Sequence, residues 1–376
     1  MVEKRLTVIQ MLPDLETGGV EQGTLELGNF LAARGHGSLV VSRGGRMVED
    51  LEAGGSIHVT LPFIGEKSPR PLFHLGKLRR LVGAADVLHL RSRVPAWAGY
   101  LAWKSLPLSR RPLLVTTFHG VYSVNAYSAI MTRGERVIAV SESIEAHILN
   151  NYPMDPSRLV CISRGADSRR FDPDRVGSDV RERLRRDWGC DEKTALILMP
   201  GRFSRLKAQD LLLHALKGLG DLCWKLVLVG DPAENPEYAK ELKSLARPLG
   251  DRVIFAGYRK DMPELLAASD LLVSPSRKPE SFGRILAEAG MMGKPVLASA
   301  HGGSLEIVEA GVTGLFFAPE DGEDLGTKLR ILLENPEQRK RMGEAGRMRV
   351  KTRFTTEVMC EKTLALYEEA LAQKRG

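Results

Sequence analysis

Short, unbroken apolar runs alternate with amphipathic stretches along the 376 residues. The first run, 6–11, is apolar at nearly every position, which predicts a strand buried on both faces. The loop LPDLETGGVEQG and a helical pattern through TLELGNFLAARGH follow, then strand-like runs at 39–42 and in GSIHVTLP. HLGKLRRLVGAADVLHLRSR predicts a helix and a strand, and RPLLVTTFHGVYS a strand running out into His119 and Gly120. GERVIAVSESIEAHILNNY predicts a strand and a helix capped near Ser141. After a charged stretch at 177–193 the alternation restarts with TALILMPG, WKLVLVGD, DRVIFAG, DLLVSPS and KPVLASA. Such alternation predicts an α/β fold of two doubly wound, Rossmann-like domains. The boundaries read from it are 1–176 and 177–354, with an amphipathic tail at 355–373 able to brace either domain. Two such domains joined by a hinge would face each other across a cleft, with strand ends and helix N-termini toward it.

Composition narrows this only modestly. The length exceeds what one core usually organises. A formal charge of +7, from 54 basic and 47 acidic side chains, favours anionic partners such as nucleotide phosphates or an anionic membrane surface. No nucleic-acid module accompanies the charge, and 6% aromatic residues make a poor stacking platform, so nucleic acid is not an expected partner. The N-terminal apolar run is too short for a signal peptide, and no apolar segment is long enough to span a bilayer. A cytoplasmic protein is expected, with any membrane contact peripheral, on the inner face. Cys161, Cys190, Cys223 and Cys360 lack metal-like spacing and read as reduced thiols.

The chemistry concentrates in SPSRKPESFGRILAEAGMMGKPVLAS, residues 274–299. Glu280 falls on a loop between a strand and a helix, and Glu288 about two turns into that helix. Ligands bind at such strand ends in open α/β sheets, where helix N-termini favour phosphate. Glu280 then lies beside a reacting sugar, and Glu288 can accept both hydroxyls of a ribose. Ser281, Phe282 and Gly283 can offer backbone N–H groups to a distal phosphate. A solvated loop and an exposed helix face fit the same spacing, and pattern alone does not choose. Arg202 and Lys207 flank the next strand-to-helix turn and can neutralise a diphosphate, or simply be solvated. Gly230 and Tyr258 end two further strands and suit a nucleoside held against backbone. In the first half, Gly18 and Gly19 precede a helix and permit close approach of a ligand. His119 is a candidate to face a donor sugar or to be a structural histidine. Arg91, Arg93 and Arg164 lie on successive loops and can bind acceptor anions. His36, His58, His214 and His301 share no ligand spacing. Asp172-Pro173-Asp174 reads as a turn rather than a metal pair, so no metal site is assigned.

Together these residues resemble the retaining, nucleotide-sugar-dependent glycosyltransferases of the GT-B fold, family 4. The signature is Glu280 and Glu288 in PESFGRILAEAGMMGKPVLAS, supported by GRFSRLKAQD, FAGYRKDMPELLAASDLLVSPS, GGSLEIVEAGVTGLFFAPED and the N-terminal GGVEQ. The resemblance implies that Arg202 and Lys207 hold a donor diphosphate, Glu288 the ribose, and Glu280 with 281–283 the sugar. It implies that His119 faces the donor sugar, that Gly19 lies on a loop closing over phosphate or acceptor, and that the C-terminal helix crosses back to the first domain. The donor would be a nucleoside diphosphate sugar of UDP, GDP or ADP type, with no tightly bound cofactor and no essential metal. The acceptor would be a saccharide or lipid-linked saccharide, with LHLRSRVPAW similar to enzymes of lipopolysaccharide or other envelope glycans. Two departures stand out: Lys207-Ala208 where Lys-Gly is usual, and Ser163-Arg164-Gly165-Ala166-Asp167 where Asn-Gly-Val-Asp is usual. The alternatives are a nucleotide-sugar epimerase or hydrolase of the same fold and a non-catalytic nucleotide-sugar-binding protein. The absence of G-x-G-x-x-G disfavours an NAD-dependent oxidoreductase.

Overall fold

The computed structural model of the protein describes residues 5–16 and 18–375. Two compact units make up the chain: Met1–Arg164 with Thr356–Gly376, and Gly165–Thr355. Each is a parallel α/β sheet, as the apolar runs predict.

The first sheet contains β1 (Thr7–Met11), β2 (Gly37–Ser42), β3 (Ile57–Thr60), β4 (Val87–Leu90), β5 (Leu113–Phe118), β6 (Arg136–Ala139) and β7 (Leu159–Cys161). Their order is β3-β2-β1-β4-β5-β6-β7, with every pairing parallel. The second sheet contains β8 (Ala195–Pro200), β9 (Trp224–Val229), β10 (Val253–Gly257), β11 (Leu271–Ser274), β12 (Val296–Ser299) and β13 (Gly314–Phe317), in the order β10-β9-β8-β11-β12-β13. Both orders reverse direction once, between β1 and β4 and between β8 and β11. Crevices outside the carboxyl ends of strands at such reversals are where doubly wound sheets bind ligands. The loops that begin at residues 12 and 91 leave the first reversal, and loops 201–208 and 275–283 leave the second.

The division between units falls at Arg164/Gly165, ahead of the boundary read at 176/177. Burial is the reason. Ala166 and Phe171 join the core of the second unit, and the Ala166 N–H donates to Phe354 O at 2.9 Å. Asp172 and Asp174 both accept from Arg347, at 2.9 and 3.0 Å, so this carboxylate pair already holds a cation. The C-terminal helix Thr356–Arg375 lies in the first unit, burying Met359, Cys360, Leu364 and Tyr367 against Val8, Val87 and Val115. Tyr367 O–H meets His89 Nδ1 at 2.6 Å, the rings edge to face, which fixes the helix in one register.

Candidate functional site

In the second unit, the reversal between β8 and β11 brings two loops into direct contact. Lys207 Nζ lies 2.7 Å from Glu280 Oε1, and Ser276 Oγ donates to the same oxygen at 2.7 Å. Burial pushes the Glu280 carboxyl up, but the Lys207 charge and the hydrogen bonds from Lys207 and Ser276 outweigh it. They hold Glu280 below the usual carboxylate range, and His301 adds to the effect. Glu280 is therefore an anion at neutral pH, with one oxygen already engaged.

A brace beneath the pair sets its geometry. Arg277 forks onto Asp210, Nη1 to Oδ1 at 3.0 Å and Nη2 to Oδ2 at 2.8 Å, and Tyr238 O–H donates to Oδ1 at 2.7 Å. The Arg277 N–H and side chain also reach the Leu206 and Arg205 carbonyls, at 2.8 and 2.7 Å. The Glu280 loop is thus tied to the turn that carries Lys207. Burial pushes Asp210 up, and its bonds to Arg277 and Tyr238 bring it below its ordinary value. Within the turn Ala208 adopts φ 57°, ψ 43° before the helix Gln209–Lys217. That left-handed conformation costs a residue with a Cβ roughly 1–2 kcal/mol, whereas glycine takes it freely. This is a physical reason for the glycine usual at this place. Alanine tolerates the position without moving Lys207 away from Glu280.

The remaining predicted residues of this unit line up along the same sheet edge. Arg202 is exposed on the β8 loop. Gly230 follows β9, and a Cβ there would lie 2.4 Å from Gly201 O, so its lack of a side chain serves the close approach of the two strand ends. Tyr258 follows β10 and is 60% exposed, open to a planar ligand. Ser281 is half-buried, while the Phe282 ring is buried against Phe354 at 5.9 Å and leaves only backbone for a ligand. Gly283, at φ 91°, caps the helix Arg284–Met291, and Glu288 lies in its second turn with Arg284 Nε 3.8 Å away.

Sequence reasoning passed over His301. Both of its ring nitrogens are buried without a hydrogen-bond partner, beside Glu280. The loop after β12 reaches this place because Gly302 and Gly303 have no side chains. Gly303 N–H donates to Glu280 O at 2.9 Å, and a Cβ on Gly302 would stand 2.7 Å from that oxygen. A histidine followed by two glycines at a strand end was the available signal. Its spacing to the other histidines carries no such signal.

The first unit presents a different cluster. His119 follows β5, and Arg164 donates to both His119 Nδ1 and Gly19 O, joining the glycine loop to the histidine. Here Arg164 occupies the departure noted in the sequence. Arg91 Nη1 donates to Gln10 Oε1 at 2.9 Å, and Arg91 Nε is buried with no partner. Burial, then the charges of Arg164 and Arg91, push the His119 pKa well below its ordinary 6.5, and burial with Arg91 does the same to His89. Both imidazoles are neutral at physiological pH. Because Nδ1 of His119 accepts from Arg164, the ring proton sits on Nε2, which is itself buried without a partner. Beside it is a cavity of about 20 Å³ lined by His89, Arg91, Thr117, His119, Arg164 and Thr363. Arg93 is placed otherwise, stacked over Tyr122 at 4.4 Å and bonded to Ser128 Oγ at 3.1 Å. Among the described residues no group of three or more His, Cys, Asp or Glu is placed to hold a metal ion.

Both units resemble proteins of known family. Residues 17–170 match glycosyltransferase family 4, and residues 180–349 match glycosyl transferases group 1. A glycosyltransferase of known structure from Rickettsia africae superposes with a TM-score of 0.90 at 31% identity, covering 98% of this chain and 99% of that one. Spore coat protein SA of Bacillus subtilis is 28% identical over 62% of this chain. A D-inositol 3-phosphate glycosyltransferase of a Nocardioides species is 34% identical over 64% of it. The matches span 65% and 55% of the lengths of those two proteins. The chain belongs to the GT-B-fold glycosyltransferases of family 4, group 1.

Proposed function

We propose that this protein transfers a sugar from a nucleoside diphosphate sugar to a hydroxyl of a saccharide or lipid-linked saccharide in envelope glycan synthesis, with retained anomeric configuration. The observation that carries this reading is the Lys207–Glu280 contact at the reversal of the second sheet. A cation held on a strand-end turn meets the charge of a diphosphate, and Arg202 on the same loop adds a planar fork. Glu288 takes the ribose hydroxyls, Tyr258 and the strand end at Gly230 the base, and 281–283 the distal phosphate through backbone.

The anomeric carbon–oxygen bond to the diphosphate breaks as the bond to the acceptor oxygen forms on the same face. The acceptor's proton passes to the departing phosphate oxygen. Lys207, Arg202 and the helix N-terminus at Gly283 stabilise the charge that gathers on the diphosphate. Glu280 supports the positive charge that gathers on the sugar. His119, with its proton on Nε2, donates a hydrogen bond to a sugar hydroxyl rather than removing a proton. These cations supply the neutralisation of the leaving group, so transfer should survive a chelator.

A thermal-shift panel of UDP, GDP, ADP and their sugars tests the donor, because a ligand that binds only the folded state raises its melting temperature. The donor that shifts melting is then incubated with and without candidate acceptors. Consumption that needs the acceptor, with the product's anomeric configuration matching the donor's, supports the reading. Turnover without acceptor would instead indicate an epimerase or hydrolase, and binding without turnover a sugar-nucleotide-binding protein.

A further inference from the structure

We propose that one face of the first unit, built from the turn Arg70–His74 and the helix Arg93–Lys104, docks on a bilayer that carries anionic phospholipid. Charge and apolar exposure converge there. Residues 66–111 hold ten basic and two acidic side chains, a local excess of +8 against +7 for the whole chain. Seven of those cations, Lys67, Arg70, Lys77, Arg79, Arg80, Lys104 and Arg110, are exposed. Of the two acids, Asp86 is engaged by the Thr7 N–H at 2.9 Å, and Glu66 pairs with Arg70 at 3.6 Å. Little negative charge is left to offset the excess.

The same segment exposes large apolar side chains that a soluble surface would bury. Phe73 is 81% exposed and Leu72 44%, side by side on the turn; Trp97 and Leu101, at 38% and 37%, face out one helical turn apart. Between turn and helix runs a groove of about 610 Å³ lined mainly by Pro71, Leu72, Val94, Trp97, Leu101 and Tyr127, with Lys67 at its edge. Cations and rings are interleaved around it. The Arg70 guanidinium lies 5.2 Å over the Phe63 ring, and that of Arg93 lies 5.7 Å over Tyr127. Trp97 Nε1 donates to Tyr127 O at 3.2 Å, leaving its apolar edge outward.

Apolar side chains projecting from a turn, next to many uncompensated cations, match the chemistry of a headgroup layer over hydrocarbon. The cations pair with phosphates, Trp97 and Tyr127 sit at headgroup depth, and Leu72 and Phe73 enter the acyl region. A nucleic acid would use the cations but have no need of Phe73. The proposal extends the acceptor side of the transferase reading. Its test uses neither donor nor acceptor, so failure here leaves that reading standing.

Flotation of the full chain with phosphatidylcholine vesicles, and with vesicles of phosphatidylcholine and phosphatidylglycerol, measures the interaction directly. Binding to the anionic vesicles alone is expected, weakening with salt. Each cation lost, as in Lys77→Gln or Arg80→Gln, should reduce partitioning about fivefold. Leu72→Ser with Phe73→Ser should reduce it about tenfold or more. Both side chains are exposed, so melting should be unchanged and loss of binding is not loss of fold. Arg247→Gln, an exposed cation of the second unit, should leave partitioning unaltered. Absence of binding, or equal binding to neutral vesicles, overturns the proposal. So does anionic binding that survives the Leu72/Phe73 change, which would be charge attraction alone, or an equal loss in Arg247→Gln.

Discussion

The two units share a parallel, once-reversed sheet, yet the polar clusters at their reversals differ in how their charges are met. The second unit pairs Lys207 with Glu280 and Arg277 with Asp210, so each charge has a counter-charge in the same unit. The first gathers Arg91 and Arg164, with Glu21 and Glu26 in the field of Arg91, around two histidines kept neutral by burial, with Arg91 acting on both and Arg164 on His119. A ligand phosphate entering the second cluster competes with Glu280 for Lys207. In the first cluster, buried donors on Arg91 and His119 lack acceptors, which an incoming oxygen can supply. One site is poised to exchange partners, the other to gain one.

Glu280→Gln should break the comparison most severely. It keeps the shape of the side chain and removes the charge that faces Lys207 and, in the proposed reaction, the sugar. Transfer should fall roughly 10²–10³-fold, the scale seen when one electrostatic contact to a transition state is lost. Nucleoside diphosphate binding should hold or tighten, because Lys207 then loses its competitor. Steady-state transfer assays, with calorimetric titration of the diphosphate, read the two effects separately. Near-normal transfer would remove Glu280 from the centre of the mechanism.

Arg277→Ala strikes the brace instead. It leaves Asp210 largely buried and without its forked partner, a loss of about 3 kcal/mol on the scale of broken buried pairs. The turn that carries Lys207 loses the side-chain bond to the Arg205 carbonyl, so weaker donor binding should accompany the lower melting temperature. Chemical denaturation and donor titration on one preparation would show both; a stable variant with normal donor affinity would contradict the brace.

Acidification should then separate the units. An unfolded histidine takes up a proton below about 6.5, whereas His89 and His119 stay neutral while folded. The unfolded state thus binds more protons, and their contribution is full above 6.5 and lost as pH falls through it, by up to about 1.4 kcal/mol per pH unit for each histidine. Glu280 and Asp210 have folded pKa values below 4.5 and 3.8, so their contribution persists until pH falls through that lower range. Hydrogen exchange across β4 and β5 should therefore accelerate at mildly acid pH, while β8 and β11 remain protected. Simultaneous loss of protection would erase the distinction.

What the sequence revealed follows the range of the physics involved. Parallel strands buried on both faces leave continuous apolar runs, so both sheets were legible, and the strand-to-helix loops carrying Glu280, Lys207 and His119 followed from them. Contacts between residues distant in sequence leave no periodic trace. No pattern singles out Arg277, which ties two loops, and His301 read as a scattered histidine although it sits beside Glu280. The sequence offers a ligand the backbone N–H of Phe282 alone, and nothing in the pattern says that its ring belongs to the core. The boundary near 176 followed composition, while Ala166 and Phe171 answer to burial, which composition does not report.

The subtlest effect concerns the proton on His119. With Arg164 donating to Nδ1, Nε2 can only donate, so His119 contributes a hydrogen bond and no titration near neutrality. His119→Ala should cost transfer about tenfold, the scale of one hydrogen bond, with no change in the shape of the pH–rate profile between 6 and 8. Arg164→Met removes both the donor at Nδ1 and the second-largest cause of the depressed pKa. His119 should then titrate closer to 6.5, and a new limb should enter the profile on the acid side, where protonation adds charge to the ring. That limb should vanish in the double variant with His119→Ala. A limb already present in the unaltered protein and lost with His119→Ala would mean that the imidazole does exchange its proton during transfer. The first unit's cluster would then be acid–base machinery rather than a fixed set of donors.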